Sequence, residues 1–315
     1  MVRVKGPVWF NLYHKDNTIT PYLLVNNDCI IMSQMNKRRA EDYPFYDISG
    51  PIAIAKKANT LAAIQSAQDV GITYVELDVV DTLDGEGLIY HDAKNKRDAK
   101  RLGLELTRII QNKTLDDTRS YLRAGDEELT TIEEVLKTFL GTRVFIDIKT
   151  AGAAIAVAKA VLDQRAQERV SLGSYNYRYT KIAASLLGGQ ERTATSPGTF
   201  ESYLLRTSSQ IFKRFVQKSP ITSIHLADYQ TPCWMVELTE EMGVNLNTWA
   251  GPDEEQDNRE YIERNLDAGV GGIMSIRTKD LVEAFDSGGH PFSLRKPLGN
   301  LAINSLTTPD IRAII

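Results

Sequence analysis

From residue 51 onward, short apolar runs alternate with longer segments in which apolar residues recur every three or four positions. The first pattern predicts buried β-strands and the second predicts amphipathic helices. About eight such strand–helix units follow one another, which predicts a parallel (β/α)8 TIM barrel. A doubly wound open sheet is the alternative, but no glycine-rich dinucleotide fingerprint follows the first strand. The predicted strands cover residues 52–55, 73–79, 144–149, 170–174, 192–196, 221–226, 244–249 and 272–276.

Two parts of the chain depart from this alternation. Residues 84–87 supply an Asp and two glycines for a turn into a further apolar run at 88–91, and so short a connection predicts a β-hairpin. Residues 1–50 contain three short strand patterns, which predict a small N-terminal β extension packed on the barrel. We assign residues 51–287 to the barrel and residues 288–315 to an irregular C-terminal tail. The three N-terminal strands are predicted at Val8–Tyr13, Tyr22–Val25 and Cys29–Met32.

Composition narrows the class of protein. The 315 residues carry a net charge of −4 and no extended basic cluster, which argues against nucleic acid as a partner. The two cysteines are far apart in sequence, give no metal-ligand spacing and favour a reduced chain. No apolar run approaches the roughly 20 residues of a membrane span, and no signal peptide is visible. We therefore expect a globular, cytoplasmic protein without a membrane span.

Acidic residues lie within two of the apolar strands. Glu76 and Asp78 are two positions apart and therefore point to the same side of one strand. Asp147 and Lys149 have the same relation at the end of the next barrel strand. Because the carboxyl ends of barrel strands meet at one face, we expect these side chains to share a site. Three carboxylates without a matching cysteine or histidine cluster favour Mg²⁺ or Ca²⁺ over zinc.

Basic groups near these acids point to phosphate chemistry. Lys149 beside a divalent cation would suit a phosphate, because the metal and the ammonium can each neutralise one of its oxygens. His91, at the tip of the hairpin, is a candidate general acid or base near neutral pH. The alternative for each acid is a strand-end cap or a surface ion pair. The alternative for His91-Asp92 is a turn without a catalytic role.

Several short motifs follow one another in a fixed order. Glu76-Leu77-Asp78-Val79 precedes Thr82-Leu83-Asp84-Gly85 and Leu88-Ile89-Tyr90-His91-Asp92. This series resembles the glycerophosphodiester phosphodiesterase family, and the resemblance extends from about residue 52 to 287. Further segments that resemble the family are Asn59-Thr60-Leu61-Ala62-Ala63, Leu129–Leu136, Ile146-Asp147-Ile148-Lys149, Asn247-Thr248-Trp249 and Gly269–Ile273.

The resemblance implies a fold, a reaction and roles for individual residues. It implies a TIM barrel that uses a divalent cation to cleave a small phosphodiester into an alcohol and a phosphomonoester. Glu76, Asp78 and Asp147 would be metal ligands, His91 would be a catalytic acid or base, and Lys149 would contact the phosphate. The substrate would be a phosphodiester of glycerol or of a sugar.

The first barrel strand departs from the family pattern. The family ends this strand with His-Arg-Gly, which supplies a second catalytic histidine and an arginine on the phosphate. Residues 48–57 contain neither residue type. Ala58 stands in place of a glutamate, and Asp147 replaces a longer glutamate. Lys56 or Lys57 could supply the positive charge, although lysine does not reproduce the bidentate contacts of arginine.

Later strand ends offer further candidate residues. His225 could supply the second imidazole, and its alternative is a hydrogen-bonded structural histidine. Trp249 could stack on a sugar or a glycerol, or it could pack in the core or at the rim of the barrel. We interpret Tyr175 and Tyr177 as buried loop residues, and the alternative is that they contact a polyhydroxy substrate. We interpret the acidic residues at 253–257 as a solvated loop.

Three functions remain open at this point. In the first, the metal and His91 still cleave phosphodiesters. In the second, the enzyme is a transferase or synthase that joins two sugars through phosphate, as in the agrocinopine synthases of opine synthesis, a divergent branch of the same family. In the third, the barrel is not catalytic and binds a phosphate ester or a protein partner. The metal-binding motifs are present, whereas the hydrolytic motif of the first strand is altered.

Overall fold

The computed structural model describes residues 8–13, 19–25, 28–31, 39–46, 50–91, 106–122, 129–190, 193–251 and 254–290. Within these ranges the N-terminal region contains the strands β1 (Val8–Tyr13), β2 (Ile19–Val25) and β3 (Asp28–Ile31). They form an antiparallel sheet in the order β1–β2–β3. These are the three strands predicted for this region, and their packing on the barrel stays a prediction. The proposed tail from residue 291 lies outside the described residues.

Eight parallel strands form the barrel, which confirms the predicted (β/α)8 architecture. The barrel strands are β4 (Ile52–Ala55), β5 (Tyr74–Asp81), β7 (Arg143–Ile148), β8 (Val170–Gly173), β9 (Ala194–Thr195), β10 (Ser223–Ala227), β11 (Asn245–Trp249) and β12 (Gly272–Ser275). They pair in the order β10–β11–β12–β4–β5–β7–β8–β9. The Thr222 N–H donates to the carbonyl of Thr195 at 2.8 Å and so links β10 to β9.

Helices follow the strands, and many begin at a hydroxyl or amide side chain. Thr60, Thr131 and Thr150 each accept a hydrogen bond from a backbone N–H of the first helical turn. No helix among the described residues is long and apolar enough to span a membrane. The helices are α1 (Leu61–Asp69), α2 (106–111), α3 (Leu115–Tyr121), α4 (Ile132–Thr138), α5 (Ala151–Asp163), α6 (Tyr177–Leu186), α7 (Thr199–Leu205), α8 (Ser209–Lys218), α9 (Cys233–Met242), α10 (Arg259–Asp267) and α11 (Thr278–Ser287).

One predicted helix is divided in two. Apolar spacing predicts a single helix over residues 200–216, whereas the structure has α7 and α8 separated at residues 206–208. Thr207 donates its hydroxyl hydrogen to the carbonyl of Leu204 at 2.6 Å, and Ser208 takes an extended conformation as the N-cap of α8. Hydroxyl side chains compete for backbone groups in this way, which is why such residues favour caps over helix interiors.

Aromatic side chains pack at the amino-terminal end of the barrel. The rings of Phe45 and Phe145 meet edge to face with centroids 4.7 Å apart. The Tyr74 hydroxyl donates to the carbonyl of Phe45 at 2.6 Å. Phe45, Tyr46, Tyr74 and Phe145 are all buried and belong to one hydrophobic cluster. The segment from residue 39 to 46 therefore packs on the base of the barrel, opposite the strand ends that carry the acidic motifs.

The predicted hairpin is confirmed. The strand β6 (Gly87–Ile89) pairs antiparallel with β5, with Val79 opposite Ile89. In the turn, Asp84 accepts hydrogen bonds from the Thr82 hydroxyl at 2.5 Å and from the Leu115 N–H at 3.0 Å. These hydrogen bonds hold the turn between β5 and β6 against the first residue of α3, so Thr82 and Asp84 have a structural role. The sequence did not predict α3.

Candidate metal and phosphate site

The three acids predicted from two separate strands come together at the carboxyl end of the barrel. Asp78 on β5 is the direct neighbour of Asp147 on β7 in the strand register. One oxygen from each of Glu76, Asp78 and Asp147 lies within 4.8 Å of the others. Glu76 is only 9% exposed and Asp78 only 2%. Three carboxylates this close, of which Glu76 and Asp78 are buried and Asp147 is half-buried, require positive charge nearby, because burial penalises unpaired ions.

Lys149 supplies part of that charge. Its ammonium forms ion pairs with Asp147 Oδ2 at 2.5 Å and with Asp78 Oδ1. Burial alone would lower the pKa of Lys149, but the Asp147 and Asp78 carboxylates outweigh that effect and raise the pKa above its ordinary value. Lys149 is therefore a fixed cation between the two aspartates.

The second oxygen of each aspartate makes the cluster suitable for a metal ion. Asp78 Oδ2 and Asp147 Oδ1 are buried, and neither accepts a hydrogen bond from any residue that the structure describes. Together with Glu76 they present oxygen atoms on the same side of the barrel mouth, and such hard ligands suit Mg²⁺ or Ca²⁺. Burial, and next the charge of Asp78, raise the pKa of Glu76 to about 7. A bound divalent cation would offset both effects.

The raised pKa of Glu76 predicts that the stability of the metal-free protein depends on pH. Because its folded pKa of about 7 exceeds the ordinary value of 4.5, the folded state holds a proton that the unfolded state releases. This proton stabilises the folded state relative to the unfolded state, and the contribution is fully present below about pH 4.5. It is lost as the pH rises through 7, which lowers the free energy of unfolding by up to roughly 3 kcal/mol. Chelator-treated Glu76→Gln should therefore unfold near the wild-type temperature at acidic pH and at a higher temperature at about pH 8. Thermal melts of both proteins check this, and equal differences at the two pH values would contradict it.

His91 reaches the cluster because the hairpin folds back on β5. The Tyr90 N–H donates to the carbonyl of Asp78 at 3.0 Å, which fixes the residue before His91 beside the aspartate. His91 Nε2 lies 3.8 Å from Asp78 Oδ2, and the imidazole is about one-third exposed. The structure thus brings His91 to the carboxylates with access to solvent, as a general acid or base requires.

The end of β4 presents Lys56 and Lys57 in different ways. The Lys57 N–H donates to Glu76 Oε2 at 3.2 Å, and Lys57 has a positive φ of 56°. Lys56 Nζ lies 4.0 Å from the ring centroid of Trp249, so its ammonium is held on an aromatic face. Burial lowers the pKa of Lys56, while the Glu76 carboxylate acts in the opposite direction. Lys56 contributes a side-chain charge near the cluster, whereas Lys57 contacts Glu76 through its backbone.

His225 lies inside the barrel among polar neighbours. Its Nε2 is 3.2 Å from both Ser223 Oγ and Asn247 Nδ2, and its ring packs edge to face on Phe145. Burial lowers the pKa of His225 to about 4, so the imidazole is neutral near pH 7. These contacts resemble those of a structural histidine, and its catalytic role stays a prediction.

Two interpretations of loop residues were wrong. Asp257 is buried rather than solvated, and it accepts hydrogen bonds from Ser275 Oγ at 2.7 Å and the Ile276 N–H at 2.9 Å. It therefore fixes the carboxyl end of β12. Tyr177 is buried as expected, but Tyr175 is 67% exposed. The burial of Asp257 and the exposure of Tyr175 could not be predicted from the sequence. An acid in a polar loop and a tyrosine after a strand each fit a buried and an exposed position equally well.

Comparisons with known proteins find relatives that are named as phosphodiesterases. A curated relative from Mycobacterium tuberculosis, named "Probable glycerophosphodiester phosphodiesterase 2", is 32% identical over 143 residues, which cover 45% of this chain and 51% of that protein. The match therefore spans about half the length of that relative. The glycerophosphodiester phosphodiesterase of Caldanaerobacter subterraneus is 25% identical over 250 residues, which cover 73% of this chain and 93% of that protein.

A solved structure shows the same fold. The Oleispira antarctica phosphodiesterase, solved in complex with the product sn-glycerol-3-phosphate, superposes with a TM-score of 0.54 at 17% identity. The match covers 75% of this chain and 97% of that one. A model of the Glycerophosphoryl diester phosphodiesterase family matches residues 42–277, which is more than half of the 315 residues and includes every residue of the candidate site. The chain therefore belongs to the glycerophosphoryl diester phosphodiesterase family.

Proposed function

We propose that this protein is a metal-dependent phosphodiesterase that cleaves a small glycerophosphodiester into an alcohol and a phosphomonoester. The observation that carries the proposal is the cluster of Glu76, Asp78 and Asp147 with Lys149 and His91 beside it, at the carboxyl end of the barrel. Family membership and the names of the relatives point to the same class of reaction. The cytoplasmic location expected from the composition stays a prediction.

Each residue of the cluster has a distinct part in this proposal. Glu76, Asp78 and Asp147 would hold Mg²⁺ or Ca²⁺, which supplies a Lewis acid for a phosphate oxygen. Lys149, fixed between the aspartates, neutralises a second phosphate oxygen and keeps the two carboxylates at a set distance. His91 donates a proton to the leaving alcohol oxygen, for which its partial exposure leaves room.

The missing histidine and arginine of the first barrel strand affect the choice among hydrolysis, phosphodiester synthesis and binding without catalysis. His225 contacts Ser223, Asn247 and Phe145 inside the barrel, and its role as the second imidazole stays a prediction. The synthase and the non-catalytic alternatives nevertheless gain no support from the relatives, whose names are those of phosphodiesterases. We therefore retain hydrolysis as the proposed reaction and expect it to depend on fewer proton-transfer groups than in the family pattern.

The proposal is tested by incubating chelator-treated protein with glycerophosphocholine and either Mg²⁺ or Ca²⁺. We expect glycerol 3-phosphate to be released only when a divalent cation is present, and a coupled dehydrogenase assay measures it. The same incubation with an acceptor sugar and a sugar phosphate, supplied both free and as an activated donor with a leaving group on the phosphate, tests for a new phosphodiester. Formation of that product without hydrolysis would replace our proposal with the synthase alternative, and no product from either mixture would favour the binding alternative.

Lys56 and Lys57, which follow β4, should differ in their contribution to catalysis. Lys56→Met removes the ammonium held on Trp249, and we expect kcat/KM for glycerophosphocholine to fall about tenfold, since one charge–phosphate interaction is worth about 1.4 kcal/mol or more. Lys57→Gly keeps the backbone N–H that binds Glu76 and suits the positive φ, so it should change kcat/KM little. Steady-state kinetics of the pair check this order, and the reverse order would assign the charge to Lys57.

A further inference from the structure

Lys149 and Lys56 both lie near the carboxylate cluster, but they differ in their partners. Lys149 forms ion pairs with Asp78 and Asp147. Lys56 is half-buried, and its ammonium forms no ion pair with any residue that the structure describes. Burial lowers the pKa of Lys56, and the Glu76 and Asp78 carboxylates act in the opposite direction. The Lys56 ammonium therefore lies within electrostatic range of the cluster without being bound to one of its acids.

Hydrogen bonds fix the backbone of Lys56 on both sides. Its N–H donates to the carbonyl of Ser275 at 2.9 Å, at the end of β12. Ser275 is held in turn by the buried Asp257, which accepts the Ser275 hydroxyl hydrogen at 2.7 Å. On the other side, the Lys57 N–H donates to Glu76 Oε2 at 3.2 Å. The start of the Lys56 side chain is therefore set, and only its flexible four-carbon stem remains to be ordered.

The indole ring of Trp249 orders the end of that stem. Trp249 is the last residue of β11, and the strand order β11–β12–β4 leaves one strand between it and Lys56. In the register, Trp249 lies level with Met274 of β12, which lies level with Ile54 of β4. Lys56 follows Ile54 by two residues, and its ammonium meets the indole 4.0 Å from the ring centroid. The two side chains therefore meet across the end of β12.

An aromatic partner holds a lysine without neutralising its charge. A carboxylate in the place of the indole would also fix the ammonium, but it would cancel the charge, as the two aspartates do for Lys149. The indole attracts the ammonium through its quadrupole and carries no net charge. An ammonium that is partly removed from water and has no ion pair lacks an opposing charge. A phosphodiester anion bound at the cluster would supply that charge.

We infer that Trp249 is a positioning residue that directs the Lys56 ammonium onto the phosphate of the substrate. This inference rests on the proposed function, because the phosphate is that of the phosphodiester cleaved at the cluster. The pair supplies the positive charge that the family pattern places on the arginine of its first strand. Trp249 acts on the phosphate only through Lys56, which distinguishes this role from direct stacking of the indole on a sugar or a glycerol.

A double-mutant cycle on Trp249 and Lys56 tests the inference, with hydrolysis of glycerophosphocholine at saturating Mg²⁺ as the measurement. Trp249→Leu removes the aromatic face and should lower kcat/KM about fivefold, the range expected for loss of one cation–aromatic contact. Trp249→Phe keeps an aromatic face and should lose less. In protein that already carries Lys56→Met, Trp249→Leu should have no further effect, because the group that it positions is gone.

Fluorinated tryptophans separate the charge contact from packing. Each added fluorine weakens the negative potential of the indole face and changes the size of the ring little. With increasingly fluorinated tryptophans at Trp249, kcat/KM should fall stepwise, and it should stay constant when Lys56→Met is also present. The same series at Trp234 is the matched control. Trp234 lies on α9 and packs on Phe212 with ring centroids 6.3 Å apart, so its fluorination should leave kcat/KM unchanged.

The outcomes separate this inference from the proposed function. An unchanged kcat/KM in Trp249→Leu, or a loss or fluorine dependence that persists with Lys56→Met, would overturn the inference and leave the function intact. If wild-type protein cleaves no glycerophosphocholine, the proposed function fails. Calorimetric binding of inorganic phosphate at saturating Mg²⁺ then decides the inference. It requires weaker binding in each single variant, Trp249→Leu and Lys56→Met, and no further loss in the double variant, and an absence of phosphate binding by wild-type protein overturns it.

Discussion

Asp78→Asn should abolish the divalent-dependent release of glycerol 3-phosphate, with a fall in kcat/KM of at least about a thousandfold. Asp78 is the central carboxylate of the cluster: it pairs with Asp147 across β5 and β7 and contacts both Lys149 and His91. An amide at this position removes one negative ligand and leaves the Lys149 ammonium with less opposing charge. Metal catalysis contributes several kcal/mol to such reactions, and each 1.36 kcal/mol is a factor of ten in rate.

Asp81→Asn is the matched control for that substitution. Asp81 ends the same strand, but its carboxylate accepts hydrogen bonds from Gln111 at 3.0 Å and from the Thr150 hydroxyl, away from the other acids. Its substitution should change kcat/KM by no more than about twofold when the protein remains folded. Circular dichroism of both variants establishes that the fold is kept. Comparable losses in Asp78→Asn and Asp81→Asn would mean that Asp78 acts through stability and not through a metal.

His91→Gln should lower kcat for glycerophosphocholine by roughly a hundred- to ten-thousandfold, the usual range for loss of a general acid or base. The hairpin holds His91 beside Asp78 without inserting it between the carboxylates, so metal affinity should change little. Turnover measured at saturating metal, together with calorimetric titration of the metal, separates the two effects. A substrate with a more acidic leaving alcohol should recover much of the lost rate, because such an alcohol needs less protonation.

His290→Gln provides the comparison for this variant. His290 follows α11 and packs on Phe285, with ring centroids 6.2 Å apart. It should keep the wild-type rate. If glycerol 3-phosphate is released at an undiminished rate by His91→Gln, His91 has no part in proton transfer. An equal loss of metal affinity and of kcat would instead make it a positioning residue of the metal site.

The barrel and the acidic cluster could be predicted from the sequence because both follow from short-range rules. The alternation of side chains along a strand places Glu76 and Asp78 on one side, and the parallel arrangement brings Asp147 beside them. The hairpin could be predicted from a connection too short for a crossover helix. In each case the residues that decide the structure are neighbours in sequence or repeat with a known period.

Other features depend on contacts between distant segments, which the sequence does not specify. The burial of Asp257 depends on where Ser275 lies, and the cation–aromatic contact of Lys56 depends on Trp249. The division between α7 and α8 is instead a local effect, because Thr207 and Ser208 compete for backbone groups in a way that periodicity alone does not resolve.

The most direct test of the account is a crystal structure of the protein grown with saturating Mg²⁺ or Ca²⁺. We predict one cation bound to oxygens of Glu76, Asp78 and Asp147 at about 2.0–2.6 Å, with Lys149 still beside the aspartates. Anomalous scattering after exchange for Mn²⁺ would identify the peak. Lys149 between Asp78 and Asp147 with no cation at saturating metal would contradict the account, because the three carboxylates would then form only a buried ion-pair network.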